Sequence, residues 1–367
     1  MRLTCTQKDL TNALSITNKA VGMNNTLPVL NNVLVKAEGK KLYFTTTNLE
    51  IAINYWIDAD IKNEGEITIP SKLLTNYIGY LKDSEVKLSV EEGGSVLLET
   101  NDSKTKIKGI PSTEFPSIPS VEKEGGFTIS SEDLILAINQ VAFAAALNTT
   151  RPILTGVYLL VEKNELKMVA TDSYRLAEKT IKVKNATGGI SCIVPSKTIM
   201  ELGAILSIVR DKCDVEVVIS KNQIFFGIDK IKITSRLIEG QFPNYQQVIP
   251  KISKTKAEIN VSDLSLALKR INLFAKENNN KVLVKVGLDV ISITTDTTQY
   301  GVGEIEIKTK TEGGNNEIAL NSQFVLDVLA NINSDVVVLE LGEKTSPAVI
   351  KPNNKSDYIH IVMPLKI

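Results

Sequence analysis

The nine residues TQKDLTNAL at 6–14 recur as SSEDLILAI at 130–138 and as NVSDLSLAL at 260–268. In each copy a Thr, Ser or Asn stands three positions before an Asp. This pattern is typical of a helix start, where the first side chain accepts a hydrogen bond from free backbone N–H groups. Apolar residues then follow at helical spacing. The sequence therefore predicts that one helix-forming unit occurs three times.

The spacing between these copies extends to other segments of the chain. PVL at 28–30 returns as PIL at 152–154, and Thr47-Asn48 returns as Thr171-Asp172 and Thr295-Asp296, in each case 124 residues later. A repeat of this length is the size of a domain rather than of a solenoid unit. We therefore predict three homologous α+β domains, each with two helices and two small antiparallel sheets.

The remaining elements of each repeat can be placed on the same pattern. Alternating, β-branched runs predict strands, and a second helix is expected to begin near Ser71, Ser196 and Ser322. Linker signals fall at 116–126, which contains two prolines and a Gly-Gly pair, and at 249–256, which is rich in Lys and Ser. The expected domains are 1–120, 126–248 and 254–367.

Composition restricts the class of protein. A length of 367 residues predicts two or three domains, and 43% hydrophobic with 23% charged residues is typical of a soluble globular chain. The 42 basic and 42 acidic residues exclude a uniformly positive surface, although local charge can still bind nucleic acid. Three cysteines without a CxxC pair favour a reducing compartment. With no signal peptide or membrane-spanning run, the expected location is the cytoplasm.

The sequence lacks the motifs that mark catalysis. GEKTS at 342–346 ends like a nucleotide-binding loop but lacks its upstream glycine, and GxGxxG, GxSxG and HExxH do not occur. The single histidine, His360, is interpreted as structural. We predict no catalytic residue, no metal and no cofactor. One enzyme alternative stays open, a site between repeats that uses Asp172, although Thr-Asp before a chain reversal is more typical of turn capping.

Over its full length the chain resembles the bacterial sliding clamp, the beta subunit of DNA polymerase III. The resemblance rests on TLPVL at 26–30, VATDSYRLA at 169–177, EGQFPNY at 239–245 and VMPLKI at 362–367. It implies a head-to-tail dimer that closes as a six-domain ring, with helices lining the hole and sheets outside. It also implies a processivity factor that encircles duplex DNA without sequence specificity and tethers the replicative polymerase.

The last three of these segments correspond to the family's partner-binding cleft, between the second and third domains. The implied partners are the replicative polymerase subunit, the clamp loader and other proteins with short Leu/Phe-containing motifs. Tyr174 and Arg175 are expected at the rim, and Ser173 replaces the glycine usual there. The flexible thioether of Met363 suits a groove that binds several peptides. The implied cleft residues are Leu154, Thr171, Ser173, Tyr174, Arg175, Leu176, Pro243, Val248, Ile361, Met363, Pro364 and Leu365.

A protein that slides must bind phosphates without reading bases. By resemblance, Lys72, Arg151 and Lys197 are the DNA-facing residues. Asn24 and Asn25 stand where family members often carry a basic residue, which removes one expected contact. A repeated scaffold without a DNA role remains an open alternative.

The helix that starts near Leu264 has two apolar faces, because Leu266 and Leu273 lie about 180° from its core stripe. An exposed second face calls for a covering partner. The resemblance places Leu273 and Phe274 at the dimer contact. They would meet the strand at 104–108 of the other chain, including Lys106 and Ile107.

Overall fold

The computed structural model describes residues 1–22, 27–82, 84–119, 121–148, 150–209, 212–353 and 357–366. Its six α-helices and 27 strands follow one order of elements three times within these residues. In each third of the chain a strand leads into a helix, five strands follow, and a second helix precedes three closing strands. The threefold repeat and the α+β class predicted from the sequence are therefore confirmed.

The first third contains β1 (Arg2–Thr6), α1 (Gln7–Thr17), β2 (Asn32–Glu38), β3 (Lys41–Thr47), β4 (Ile51–Asp58), β5 (Asp60–Asn63), β6 (Gly65–Pro70), α2 (Ser71–Tyr80), β7 (Glu85–Val90), β8 (Ser95–Glu99) and β9 (Lys104–Lys108). The second third contains β10 (Gly125–Ser130), α3 (Ser131–Val141), β11 (Gly156–Glu162), β12 (Glu165–Thr171), β13 (Arg175–Lys182), β14 (Lys184–Thr187), β15 (Ile190–Pro195), α4 (Ser196–Val209), β16 (Asp214–Ile219), β17 (Gln223–Ile228) and β18 (Ile231–Arg236). The last third contains β19 (Thr255–Asn260), α5 (Val261–Ala275), β20 (Lys281–Val286), β21 (Val290–Thr294), β22 (Glu304–Lys308), β23 (Lys310–Gly313), β24 (Asn316–Asn321), α6 (Ser322–Asn331), β25 (Val336–Leu341), β26 (Ala348–Pro352) and β27 (Tyr358–Val362).

Helix starts follow the predicted capping chemistry. The hydroxyl oxygen of Thr6 accepts a hydrogen bond from the Asp9 backbone N–H at 3.1 Å, and Asn260 Oδ1 accepts one from the Ser262 N–H at 2.9 Å. These side chains satisfy N–H groups that have no partner inside the helix. The helices predicted near Ser71, Ser196 and Ser322 begin at those residues.

The chain divides into two compact units. The first unit comprises Met1–Glu132, Val183–Ile190 and Glu201–Leu237, and the second comprises Asp133–Lys182, Ser191–Met200 and Ile238–Ile367. A five-stranded sheet of order β5-β1-β7-β8-β9 and a nine-stranded sheet of order β14-β10-β16-β17-β18-β4-β3-β2-β6 form the first unit. The second unit has a nine-stranded sheet of order β15-β11-β12-β13-β27-β26-β25-β19-β23 and a four-stranded sheet of order β22-β21-β20-β24.

Each third of the chain contributes a five-stranded and a four-stranded antiparallel group. Groups from different thirds pair edge to edge and so form the two nine-stranded sheets. In the first unit β18 pairs antiparallel with β4, so that Ile233 lies opposite Ile53. In the second unit β27 pairs antiparallel with β13, so that Ile361 lies opposite Leu176. The last strand of one third thus joins the fourth strand of another. The equivalent strands β9 and β22 stand at sheet edges in the described part of the chain.

Each unit contains a cluster of buried apolar residues. In the first unit Leu10 and Leu14 of α1 and Ile78 of α2 pack with sheet residues such as Phe44 and Leu88. A core cluster of the second unit contains Val169, Leu176, Ile193, Phe242, Tyr245, Val349 and Ile361. Strands such as β17 and β25 alternate between buried and less buried positions, as expected when one face of a strand packs on a core.

Candidate functional site

The turn 171–175 connects β12 to β13 and is fixed by its own side chains. The Thr171 hydroxyl donates to the Arg175 carbonyl at 2.6 Å and accepts from the Ser173 N–H at 3.1 Å. Asp172 Oδ1 accepts the N–H groups of Tyr174 and Arg175, both at 2.9 Å. Ser173 has a φ of 78°, in the left-handed region that favours glycine. Asp172 therefore caps this turn, as its sequence context predicts.

The C-terminal residues run directly beside this turn. Beyond β27, the Met363 backbone N–H donates to the Tyr174 carbonyl at 2.9 Å, and the Leu365 N–H donates to the Ala319 carbonyl at 2.8 Å. Two backbone hydrogen bonds thus fix a segment that follows the last strand. The structure brings the turn and the C-terminal segment together as the resemblance implies.

The segment 242–248 covers the sheet next to the turn. Phe242 and Tyr245 are buried, and the Phe242 ring stacks on Tyr158 with centroids 4.9 Å apart. Both pack in one apolar cluster with Leu176 and Ile361, which face each other across β13 and β27. The three segments quoted for the cleft therefore converge on one place in the second unit, which we call the candidate cleft.

The implied cleft residues divide by exposure. Those in the buried class are Leu154, Thr171, Leu176 and Ile361. Those on the surface are Ser173, Tyr174, Pro243 and Val248, and those that are half-buried are Met363, Pro364 and Leu365. Leu176 and Ile361, which are expected in the wall of the groove, are buried in the cluster that also contains Phe242 and Tyr245. They support the surface that the other residues present.

Arg175, which is expected at the rim of the cleft, has a largely buried side chain. Its side chain is only 10% exposed. Nε donates to Asp172 Oδ2 at 3.1 Å, Nη1 donates to Asp327, and Nη2 donates to the Phe143 carbonyl at 2.9 Å. Its guanidinium carbon lies 4.6 Å from the Phe324 ring centroid and 5.5 Å from that of Phe143. A guanidinium removed from water is stable only with such partners on all sides.

His360 lies under this arginine. It is completely buried, and its ring stacks on Phe143 with centroids 5.5 Å apart. Burial, and then the charge of Arg175, lower the pKa of His360 to about 3. The ring is therefore neutral at physiological pH and acts as a packing group, in agreement with the structural role predicted for it.

The implied DNA-facing residues are all exposed. Lys72 and Lys197 are the second residues of α2 and α4, where Gln323 stands in α6. Free N–H groups at a helix start attract phosphate, and a lysine beside them adds charge. Arg151 Nη1 lies 3.4 Å from the Ser173 hydroxyl. Within the described residues none of the three cations forms an ion pair.

Four residues named in the sequence analysis are not described by the structure. Asn24, Asn25, Thr26 and Ile367 lie outside the described residues. The expected loss of a DNA contact at the two asparagines stays a prediction.

The residues implied at the dimer contact differ in accessibility. Leu273 is 69% exposed and Leu266 is 59% exposed, so the predicted second apolar face of α5 is present. Phe274 is half-buried and lies close to Gly303, just before β22. Lys106 is exposed, whereas Ile107 packs in the core of the first unit. The Ile107 side chain is therefore unavailable, and only the backbone edge of β9 is free to pair.

A second apolar surface, on α2, was missed in the sequence. Leu73 is 54% exposed and Tyr80 is 90% exposed, and their spacing of seven residues places them on one helix face. The Tyr77 hydroxyl on α2 lies 3.1 Å from the Ser103 hydroxyl, just before β9. The i, i+7 spacing of two large apolar residues was the signal that could have identified this face.

The part of the chain that the structure describes contains neither a membrane-spanning helix nor a cluster of metal ligands. No helix there is long and apolar enough to cross a membrane. No group of three or more His, Cys, Asp or Glu side chains there is arranged to hold a metal ion.

Comparison with known proteins gives consistent matches along the chain. Three family models match it: DNA polymerase III beta subunit, N-terminal domain at 1–119, central domain at 128–244 and C-terminal domain at 246–366. The beta sliding clamp of Staphylococcus epidermidis is 29% identical over 376 residues, which cover 100% of this chain and 99% of that protein. The beta sliding clamp of Staphylococcus aureus is 28% identical over 363 residues, or 96% of each chain.

Solved structures agree with these matches. The DNA polymerase III beta subunit of Thermotoga maritima superposes with a TM-score of 0.94 at 26% identity, covering 100% of this chain and 99% of that one. The sliding clamp of Pseudomonas aeruginosa bound to griselimycin superposes with a TM-score of 0.95 at 28% identity, covering 100% of both chains.

Proposed function

This chain belongs to the family of the bacterial beta sliding clamp, the beta subunit of DNA polymerase III, and we propose that two copies of it close head to tail around duplex DNA. Members of the family are processivity factors and are not enzymes. In the proposed ring the chain holds the replicative polymerase on DNA in the bacterial cytoplasm and binds DNA without sequence preference.

The proposal of a dimer rests on how strands from different thirds of the chain pair with each other. The last strand of the second third, β18, pairs with the fourth strand of the first third, β4. In the same way the last strand of the final third, β27, pairs with the fourth strand of the second third, β13. The remaining last strand, β9, and the remaining fourth strand, β22, have free edges in the described residues. A β9–β22 contact between two copies extends the same pairing, and it occurs twice in a closed ring of six domains.

The two free edges carry complementary side chains. Lys104, Lys106 and Lys108 are exposed on β9, where the first two pair with Glu99 and Glu91 of the same chain. Glu304 and Glu306 are exposed on β22, together with Lys308. Opposite charges on paired strands favour the correct partner and suppress pairing of like edges.

Apolar surfaces flank both edges. Leu73 and Tyr80 are exposed on α2 of the first unit, and Leu266 and Leu273 are exposed on α5 of the second. In the proposed ring these two faces meet and exclude water, which supplies the non-directional part of the contact. Leu273 and Phe274, with the strand that contains Lys106 and Ile107, therefore stay the proposed dimer residues.

The proposed DNA surface consists of Lys72, Arg151 and Lys197. All three are exposed, and two of them stand at helix starts where backbone N–H groups also attract phosphate. Such contacts attract DNA without reading its sequence. The proposed surface has only three cations, and the chain has a net charge of zero. Enclosure by the ring rather than tight binding would therefore keep the protein on DNA.

The candidate cleft is the proposed site for partner peptides. Tyr174, Pro243 and Val248 are exposed, and Met363 and Leu365 are half-buried beside the rigid turn 171–175. A mainly apolar surface with a few fixed polar groups suits a short extended segment that ends in Leu and Phe. The proposed partners are the replicative polymerase subunit, the clamp loader and other proteins that carry such segments.

The proposed domain boundaries are 1–120, 126–248 and 254–367. The matched family domains, 1–119, 128–244 and 246–366, support this division, as does the threefold order of elements.

Retention on circular DNA tests the proposed function. The protein is loaded onto a nicked circular plasmid with a bacterial clamp loader and ATP, and the bound fraction is separated by gel filtration. We expect it to remain on the circle and to leave within minutes after a restriction enzyme linearises the DNA. Equal retention on circular and linear DNA would contradict encirclement, and no retention on either would favour a scaffold without a DNA role.

A further inference from the structure

The turn that supports the candidate cleft occurs a second time, in the first unit. The Thr47 hydroxyl donates to the Ile51 carbonyl at 2.9 Å, and Asn48 Oδ1 accepts the N–H groups of Glu50 at 3.0 Å and Ile51 at 2.9 Å. Leu49 has a φ of 74°, as Ser173 has one of 78°. The turn 47–51 thus has the same hydrogen bonds and backbone shape as the turn 171–175.

The strand that runs beside this turn matches as well. The Arg236 N–H donates to the Glu50 carbonyl at 2.8 Å, as the Met363 N–H does to Tyr174 at 2.9 Å. Thr234 lies opposite Ala52 on β18 and β4, as Ile361 lies opposite Leu176 on β27 and β13. Ala52, Thr234 and Arg236 therefore occupy the positions that Leu176, Ile361 and Met363 occupy in the candidate cleft.

Ala52 and Thr234 are smaller than Leu176 and Ile361, and Thr234 and Arg236 are more polar than their counterparts. A groove of about 710 Å³ lies between the nine-stranded sheet and the segment 115–119, and a cavity of about 80 Å³ lies beside it at Leu49, Glu50 and Arg236. We call the two together the first-unit groove. Its larger part falls within the size range of sites for small ligands.

The floor of the first-unit groove has an apolar pair and a polar row. Val218 lies opposite Phe225, which gives an apolar pair on β16 and β17, and Thr234 of β18 lies on the other side of Phe225. Asn54 lies opposite Lys232, and Glu216 lines the groove in the same row, so that a polar row with both signs of charge lies beside the apolar pair. An occupant therefore needs an apolar group on one side and hydrogen-bonding groups on the other.

Leu49, at the edge of the groove, has an exposure and a backbone conformation that both disfavour the folded state. Its side chain is 46% exposed, and its φ of 74° is rare for a leucine. Backbone strain and an exposed apolar side chain at the mouth of a groove are typical of binding surfaces.

We propose that the first-unit groove binds an extended segment of a partner protein, with an apolar anchor residue followed by acidic residues. The anchor lies on Phe225 and Val218, and the acidic side chain pairs with Arg236, which replaces the apolar Met363 of the candidate cleft. The Arg236 side chain is exposed and has no ion-pair partner among the described residues. That the ligand is a peptide rests on the proposed function of the equivalent candidate cleft. That it carries acidic residues rests on the substitutions at Ala52, Thr234 and Arg236.

The chain contains its own reporter for this groove. Trp56, its single tryptophan, follows Asn54 by two positions on β4, so both side chains are on one face and about 7 Å apart. A ligand in the groove should therefore change tryptophan fluorescence. The second unit, which contains the candidate cleft, has no tryptophan, so a ligand bound there should not change the signal. The probe is the N-acetylated hexapeptide Gly-Ser-Leu-Phe-Asp-Glu, titrated into the full-length protein.

We expect a saturable fluorescence change with a dissociation constant below about 1 mM. Arg236→Gln removes the charge at an exposed position and should weaken the probe at least about fivefold. Ala52→Leu restores the larger residue of the cleft and should abolish the change, with circular dichroism to confirm folding. Met363→Ala is the matched control at the equivalent cleft position and should leave the titration unaltered.

Three results would overturn the proposal: no saturable change up to 1 mM probe, an unaltered dissociation constant in Arg236→Gln, or loss of the change in Met363→Ala. A Leu-Phe-ending peptide followed by anisotropy tests the candidate cleft in the same samples. If that peptide binds and the acidic probe does not, the first-unit groove fails while the proposed function stands.

Discussion

The backbone N–H of Met363 donates a hydrogen bond to the carbonyl of Tyr174 at 2.9 Å, and this contact fixes a segment close to the end of the chain. The Met363 and Leu365 side chains are half-buried. They follow β27 beside a turn whose own hydrogen bonds hold it rigid. Because the backbone at Met363 is already fixed, binding of the proposed peptide there would cost little further ordering of the protein.

Removal of this segment is expected to abolish peptide binding at the candidate cleft. Deletion of residues 363–367 leaves β27 paired with β13 and removes Met363 and Leu365 from the surface. Met363→Ala alone should weaken a Leu-Phe-ending peptide by roughly 1–3 kcal/mol, the range for burying one such side chain. Fluorescence anisotropy with a labelled peptide measures both effects.

Size measurement of the same samples provides the control for this deletion. The truncated protein should assemble as the wild type does, because the proposed dimer contact uses β9 and β22. Unchanged peptide affinity in the truncated protein would place the binding site elsewhere.

Replacement of Leu273 and Phe274 by Ala is expected to convert the dimer to monomers at micromolar concentration. Leu273 is 69% exposed in one chain, and its burial contributes at each of two identical contacts. The single change Leu273→Ala should raise the dimer dissociation constant at least about tenfold. Analytical ultracentrifugation over a range of concentrations measures this.

Leu288→Ala is a matched control for the dimer variants, because Leu288 is also 69% exposed and lies between β20 and β21, outside the proposed contact. It should leave the dissociation constant unchanged. A wild-type protein that is monomeric at all concentrations would contradict the ring.

Charge reversal at Lys72, Arg151 and Lys197 is expected to reduce loading and processive synthesis without change in fold or dimer. Each lost phosphate contact should lower the salt dependence of DNA binding by about one in a plot of log affinity against log salt. Reversal of Lys40, Lys163 and Lys251, which are exposed outside the helices, is the matched control. Equal processivity of both triple variants at every salt concentration would exclude the proposed DNA surface.

The fold could be predicted from the sequence because its strongest signals are local and repeated. The capping residues Thr6 and Asn260 and the helix starts at Ser71 and Ser322 depend only on neighbouring residues. The merging of small sheets into nine-stranded ones could not be predicted, because it depends on pairing between strands such as β4 and β18 that lie far apart in sequence.

Arg175 shows the same limit at the candidate cleft. Its sequence context places it beside a turn, which the structure confirms, but its partner Asp327 is 152 residues away. Phe324 lies on α6 with Asp327, and Phe143 lies on a further segment between α3 and β11; both rings contact the guanidinium. No local pattern brings these residues together, so the buried state of Arg175 depends on tertiary packing alone.

His360 is expected to make the protein less stable as the pH falls below 6.5. In the unfolded chain its imidazole has the ordinary pKa of 6.5, whereas burial, and then the charge of Arg175, lower the pKa to about 3 in the folded chain. Between these values the unfolded state binds more protons, so its free energy falls relative to that of the folded state as pH decreases. Full stability is therefore present above pH 6.5, and about 2 kcal/mol should be lost by pH 5.

His360→Leu separates this effect from the protonation of carboxylates, which acts on both proteins. Leucine has a similar volume, cannot take up a proton and can pack against Phe143, where the His360 ring stacks. Thermal midpoints measured from pH 8 to pH 4.5 should fall more steeply for the wild type than for the variant below pH 6.5. Parallel curves over this range would mean that the buried imidazole does not control the acid sensitivity of the second unit.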